Sequence, residues 1–236
     1  MTDLHAAFRR IGRSLHASIG DVAFGMEDGA VSIAGLVFGV AASTSDSQIV
    51  LLAGATGAAA GAVSMMAGTY LDVQSSRDRA NALIAHARDR LARDPGAHGA
   101  HGARITARLQ AAGFSPEEAA TVTTALARNP EAMLAYVAAF ELGLGRGSRD
   151  SATVHALWMF LADLAAAATP VIPFALFTIG TARIVSLVLT VALLTVLGIA
   201  RARIARRSIV RMTAQTLAIA GAAGAAGVLI GRLVSG

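Results

Sequence analysis

Residues 50–71 read VLLAGATGAAAGAVSMMAGTYL, 22 consecutive positions without one charged side chain. As a helix this stretch is about 33 Å long, the thickness of a bilayer's hydrocarbon core. Its only polar groups are Thr56, Ser64, Thr69 and Tyr70, spread around the helix, so it offers no wet face to water. The stretch reads as a transmembrane helix, and the rest of the chain follows from it.

Outward from this block the pattern repeats. Before it, after a Ser/Thr/Asp turn at 43–48, lies an apolar stretch at about 22–43, interrupted by Glu27 and Asp28. Further apolar stretches fall at about 153–176, 184–200 and 212–233. Across all 236 residues 55% are hydrophobic and only 15% charged, with 24 glycines and no cysteine. Soluble domains carry about a quarter charged residues. The chain is therefore an all-α integral membrane protein of five spans.

Arginine placement orients it. All 20 basic residues are arginine. Three (Arg9, Arg10, Arg13) precede span one, ten lie between spans two and three, and five (Arg201, Arg203, Arg206, Arg207, Arg211) lie between spans four and five. Only Arg183 and Arg232 fall on the opposite side. The positive-inside rule then puts the N-terminus in the cytoplasm and the C-terminus outside. The N-terminal stretch has arginines but no apolar core, so it does not read as a cleavable signal. No aromatic stacking set accompanies the arginines, which excludes a nucleic-acid partner. The lysine-free, alanine-rich composition points to a bacterial gene and the plasma membrane.

Three segments result: 1–71 with spans one and two, 72–150 as a small cytoplasmic helical domain, and 151–236 with spans three to five. Within the domain, 73–93 is expected to be helical up to a break at Asp94-Pro95-Gly96. Residues 96–102 are expected to be a loop, 103–112 a helix ending at Gly113, and Ser115-Pro116-Glu117-Glu118 a helix start. Asn129-Pro130-Glu131 starts the last helix, to about residue 144. Glycines 54, 57, 61 and 68 in span two, and 221, 224, 227 and 231 in span five, mark faces for close helix contact.

Ionisable groups inside spans are expensive and mark function. Asp28, with Glu27 beside it, and Asp163, halfway along span three, are the acids so placed. A proton or ion path through Asp28 and Asp163 is the functional reading. Met65 and Met66 in span two offer thioethers, soft ligands suited to transition metals. Asp72 reads as interfacial, and Pro170 and Pro173 as kinking the outer end of span three. His86, His98 and His101 invite a metal reading, weakened because two lie in an expected flexible loop with no acid close in sequence. Without cysteine there is no thiolate chemistry. No phosphate-binding loop, dinucleotide fingerprint or triad spacing appears, so the chain reads as no enzyme.

The motif Glu27-Asp28-Gly29-Ala30-Val31-Ser32, followed by Gly35-Leu36-Val37-Phe38-Gly39-Val40-Ala41-Ala42, resembles the first-span signature of the vacuolar iron transporter family. Ser64-Met65-Met66-Ala67-Gly68-Thr69-Tyr70, with Ser75, Ser76, Arg77 and Asp78, is similar to its second-span motif, and Pro170-x-x-Pro173 and the glycine-rich last span fit as well. The resemblance, to a divergent bacterial member, implies a homodimer formed through the membrane helices. It implies export of Fe²⁺, and sometimes Mn²⁺, from the cytosol in exchange for protons. No permanently bound cofactor is implied; the metal is cargo. It also implies that Asp28 and Met65 line the path at the dimer interface; Glu27, which stands where the family has an asparagine, and Met66 are second-rank metal candidates read from this chain's own residues. Thr69 stands where the family has a glutamate. The family's cytoplasmic domain collects metal on glutamates, and here only Glu117, Glu118, Glu131 and Glu141 are available. Two alternatives stand beside metal export: a same-fold transporter of another cation or solute, and a non-transporting membrane scaffold.

Overall fold

The structure is a computed structural model that describes residues 12, 14, 15, 18–144 and 151–235; the side chains of 95–98 and 235 are not described. Arg9, Arg10, Arg13, Arg146 and Arg149, used above for orientation, and the His98 side chain lie outside the described residues. The helices are α1 (Ile19–Ser43), α2 (Ser47–Arg93), α3 (Pro95–Ala111), α4 (Pro116–Ala127), α5 (Pro130–Tyr136) continued by a π-turn (Val137–Glu141), α6 (Ala152–Leu176), α7 (Ile179–Ile204) and α8 (Ile209–Ser235). No strand occurs among the described residues. Five helices, α1, α2, α6, α7 and α8, are long and apolar enough to cross a membrane. The chain divides into two compact units, Met1–Asp72 with Asp150–Gly236, and Val73–Arg149.

In the first unit α1 is the central helix, packed most extensively on α6 and α8. Lipid tails are as apolar as leucine, so burial from water cannot hold these helices together; close packing and internal polar bonds must. Glycines make that packing possible. Gly35 and Gly39 of α1 cross Gly227 and Gly231 of α8 so closely that a Cβ on Gly227 would strike the Gly35 carbonyl, and one on Gly231 the Gly39 carbonyl. Around this crossing Ile33, Val37, Val50, Val171 and Phe174 form one buried cluster, and Ala30, Ala166 and Leu194 another.

Polar bonds secure the helix ends. The Arg183 guanidinium donates to the Ala41 carbonyl and, at 3.1 Å, to that of Thr44, placing a cation at the negative end of α1's dipole. The Ser186 hydroxyl donates to the Pro170 carbonyl at 2.8 Å, supporting the turn where prolines 170 and 173 remove backbone donors from α6. The helix continues through both prolines. Between α7 and α8 Arg206 takes a left-handed φ of 51°, and the Arg207 N–H closes back on the Ala202 carbonyl at 2.9 Å. That geometry ends a helix in one residue and explains the short inter-span turn.

The second unit is built of helices joined by short turns, and differs from expectation at 96–102. α2 runs 47 residues from Ser47 to Arg93 without a break after residue 71; nothing between Leu71 and Gln74 is a helix breaker. The expected loop at 96–102 is instead the start of α3. Pro95 suits a first helical position. Each glycine costs about 1 kcal/mol in a helix, and that deficit is offset by Ile105, fully buried against Leu91, Met133, Leu134 and Val137. The Ser115 start has the expected form: its Oγ accepts from Glu118 N, and Glu118 Oε2 accepts from Ser115 N at 2.8 Å. Asn129 caps α5 through Ala132 N at 3.1 Å.

The α1–α8 crossing yields a stability prediction. Gly227→Val should cost at least the 1–3 kcal/mol typical of overpacking, about that or more because backbone is struck, and lower the unfolding midpoint in detergent. Gly221→Ala should leave it unchanged, since nothing lies within 4 Å of Gly221. Trp158 fluorescence during heating reads both.

Candidate functional site

α1 and α6 run side by side with a constant sequence offset. Asp21 meets His155, Gly25 meets Met159, Gly29 meets Asp163, and Gly54 of α2 touches both Val37 and Val171. Each pair is 134 apart, so three direct contacts, and a fourth pair that meets at Gly54, hold one register over 17 residues of α1. Parallel helices keep such a register only if one has almost no side chains at the crossing. Gly25 and Gly29 supply that. A Cβ on Gly25 would lie 2.7 Å from Met159 Sδ, and one on Gly29 2.8 Å from Asp163 Oδ1.

This arrangement buries Asp163, only 2% exposed, against the backbone of α1 next to Asp28. Asp28 is half-buried and adjoins Gly29, the residue that Asp163 packs against. Among the described residues neither has a hydrogen-bond donor or an ion-pair partner. The two other acids in the first half of α1 do. Glu27 receives Arg201 Nη1 at 2.6 Å and the Thr216 hydroxyl at 3.2 Å. Asp21 Oδ2 lies 2.6 Å from His155 Nδ1. Glu27 is therefore tied to α7 and α8, while Asp28, one residue on and pointing elsewhere on the helix, has no such partner among the described residues.

Met65 lies in the part of α2 that belongs to the first unit. Gly54 touches Val37, and Gly57 touches Ile33 and Leu36, so α2 and α1 run antiparallel. Met65 lies two turns beyond Gly57 along this antiparallel run, in the direction of the α1 segment that carries Asp28. Gly61 and Gly68, on either side of Met65, meet nothing within 4 Å, and both Met65 and Met66 are partly exposed. The face of α2 that carries the thioethers is thus open.

The acids of the second unit are differently employed. Glu118 is consumed by the helix cap, whose bonds from the Ser115 N–H and hydroxyl hold its carboxyl below the usual range. Glu131 forms an exposed pair with Arg88 at 3.3 Å, a contact of little energetic weight. Glu141 lies 2.9 Å from both His101 Nδ1 and Arg104 Nη2. Burial pushes the Glu141 carboxyl up, but the bonds and charges of Arg104 and His101 outweigh it, and its pKa is lowered. So His101 does have an acid beside it, 40 residues away in sequence, contrary to the reading from local sequence. No group of three or more acids and histidines able to hold a metal occurs among the described residues, and Glu117, Glu118, Glu131 and Glu141 are not brought together.

Sequence reading passed over His155, Met159 and Asp21. Their spacing held the signal: 155, 159 and 163 are one turn apart each, all on one face of a transmembrane helix, and that face was visible once Asp163 was noticed.

Comparison with known proteins places these residues in context. The family model described as VIT family matches residues 19–232. "Vacuolar iron transporter 1" of Eucalyptus grandis is 30% identical over 207 residues, 87% of this chain and 82% of that protein. The protein of the same description from Arabidopsis thaliana is 29% identical over 215 residues, 91% and 85% of the two chains. "Vacuolar iron transporter 2" of Oryza sativa subsp. japonica is 31% identical over 184 residues, 78% and 74%.

The lowered pKa of Glu141 fixes a pH dependence. A depressed carboxyl stabilises the fold above its unfolded value and loses that contribution as pH falls through its folded value. Glu141→Gln should therefore cost about 1–3 kcal/mol near neutral pH, with the difference from wild type vanishing in acid. Hydrogen exchange of α3 in the full chain, compared at neutral and acid pH, reads this.

Proposed function

We infer the function from this premise: the chain belongs to the VIT family, and is a membrane protein of metal transport rather than an enzyme. We propose that it exports a divalent transition metal, Fe²⁺ and also Mn²⁺, from the cytosol of a bacterium across the plasma membrane, with protons moving the opposite way. The observation that carries this reading is the pair Asp28 and Asp163 inside the helix bundle, without a hydrogen-bond or ion-pair partner among the described residues.

A carboxylate inside a bilayer needs a proton, a basic side chain or a cation. Glu27 has the Arg201 guanidinium on α7, and Asp21 has the His155 imidazole on α6 as a hydrogen-bond partner. Asp28 and Asp163 have each other, which doubles the charge to be met and suits a divalent ion or protons. Carboxylate oxygen with the thioether of Met65 makes a mixed donor set. It suits a borderline ion such as Fe²⁺ better than Mg²⁺ or Ca²⁺, which take oxygen only. Met66, next in sequence, is a further thioether. When protons replace the metal the pair is neutral and the site can turn to the other side without moving bare charge through the bilayer, which is the basis of antiport.

The open thioether face of α2 supports assembly as a homodimer, in which a second copy closes the space beside Asp28 and Met65. Orientation follows the arginines, with the N-terminus in the cytoplasm and the C-terminus outside. In the second unit Glu118, Glu131 and Glu141 are tied to Ser115, Arg88, Arg104 and His101, so collection of metal there is a minor function, and the unit serves structure.

The test is uptake of Fe²⁺ and Mn²⁺ into liposomes holding the purified protein and an internal pH dye. Metal entry with proton movement is expected for wild type. Asp28→Ala should fall to the level of protein-free liposomes, and Asp163→Asn should retain its fold but lose most of the coupled proton movement. Well-folded wild type that moves neither metal would overturn the reading and direct attention to another cargo.

A further inference from the structure

The His155–Asp21 pair has a feature that pairing alone leaves unexplained. His155 is 8% exposed, and its Nδ1 faces Asp21 Oδ2 at 2.6 Å, with the Ser18 hydroxyl at 3.3 Å. Its other nitrogen, Nε2, is buried and has no hydrogen-bond partner among the described residues. A carboxylate on Nδ1 fixes the hydrogen there and leaves Nε2 as a lone pair. That is the orientation in which histidines bind metals, with the carboxylate as the outer partner. Leaving such a group unpaired in a bundle has a cost, so the position is built for a ligand.

What lies next along the same face tells which ligand. One turn further Met159 is 3% exposed, its sulfur set against the bare backbone of Gly25. Another turn brings Asp163, set against Gly29 beside Asp28. Imidazole nitrogen, thioether sulfur and carboxylate oxygen thus follow at i, i+4 and i+8, about 6 Å of rise apart, every one buried. Water or a proton would be served by hydroxyls and carboxyls alone; a thioether in the middle is of use to a transition metal.

We propose that His155, Met159 and Asp163 form a ladder of ligands by which a divalent transition metal passes from the N-terminal ends of α1 and α6 to Asp28. Asp21 is the positioning residue that holds the ring through Nδ1, and Gly25 and Gly29 leave the rungs the room that a side chain at either position would take. The ladder deepens the export reading above and rests on it for the identity of the cargo. It lies wholly within one chain, unlike the Asp28 and Met65 site.

The experiment is pulsed electron spin resonance on full-length protein loaded with Mn²⁺ alone, which detects a ¹⁴N nucleus bound to the ion. Wild type should show nitrogen modulation. His155→Asn, which keeps an amide donor for Asp21 but lacks the Nε2 lone pair, should lose it, while Asp28→Ala, His86→Ala and His101→Ala should keep it. Modulation that persists in His155→Asn, or that is absent from wild type, overturns the ladder. So does a His155→Asn protein with unchanged modulation and a shifted pH profile of flux, which would assign His155 to a proton. Should His155→Asn not fold, Met159→Leu, of similar volume, carries the test: Co²⁺ affinity should weaken by about threefold or more, and unchanged affinity overturns it. Wild type that moves no metal in liposomes but keeps His155-dependent modulation would sink the export reading and leave the site standing. Metal flux without such modulation would do the reverse.

Discussion

Three acids within eight residues of one transmembrane helix set the constraint on which the structure turns. Charge inside a bilayer must be answered, and α1 answers Asp21, Glu27 and Asp28 in three ways. Asp21 is met by a histidine of α6 and Glu27 by an arginine of α7. Asp28 lies beside a second carboxyl instead of a base. The first two answers tie α1 to its neighbours in a fixed register. The third leaves two carboxyl groups in the bundle without a base beside them among the described residues.

Glycine makes this geometry attainable. On one face of α1, Gly25 and Gly29 let α6 bring Met159 and Asp163 against bare backbone; on another, Gly35 and Gly39 let α8 cross at Gly227 and Gly231. Helices this close exchange dispersion contacts along their backbones, which in lipid replaces the hydrophobic drive of soluble folds. The same residues that hold the bundle together therefore also keep the donor groups in line. Packing and function are coupled here: any side chain at position 29 would displace Asp163 as well as separate the helices.

Much of this was legible in the sequence. The five spans follow from apolar blocks such as residues 50–71, and the Ser115 capping box from residue types at fixed spacing. Asp28 and Asp163 stood out because charges in apolar stretches are rare. What was hidden depends on long-range partners. Glu27 looks like a ligand until Arg201, 174 positions away, is found beside it. His101 looks alone until Glu141 arrives from the end of the π-turn. Residues 96–102 look like a loop because three glycines mask the anchoring of Ile105 in the core.

The central claim is that the carboxyl pair inside the bundle holds the transported ion. Its most direct test is a crystal structure of the full-length protein soaked in Co²⁺, with anomalous scattering recorded at the cobalt edge. The account predicts an anomalous peak within ligand distance of Asp28, absent from crystals of Asp28→Ala. Peaks confined to Glu117, Glu131 or Glu141 of the second unit, or a peak unchanged in the variant, would contradict it.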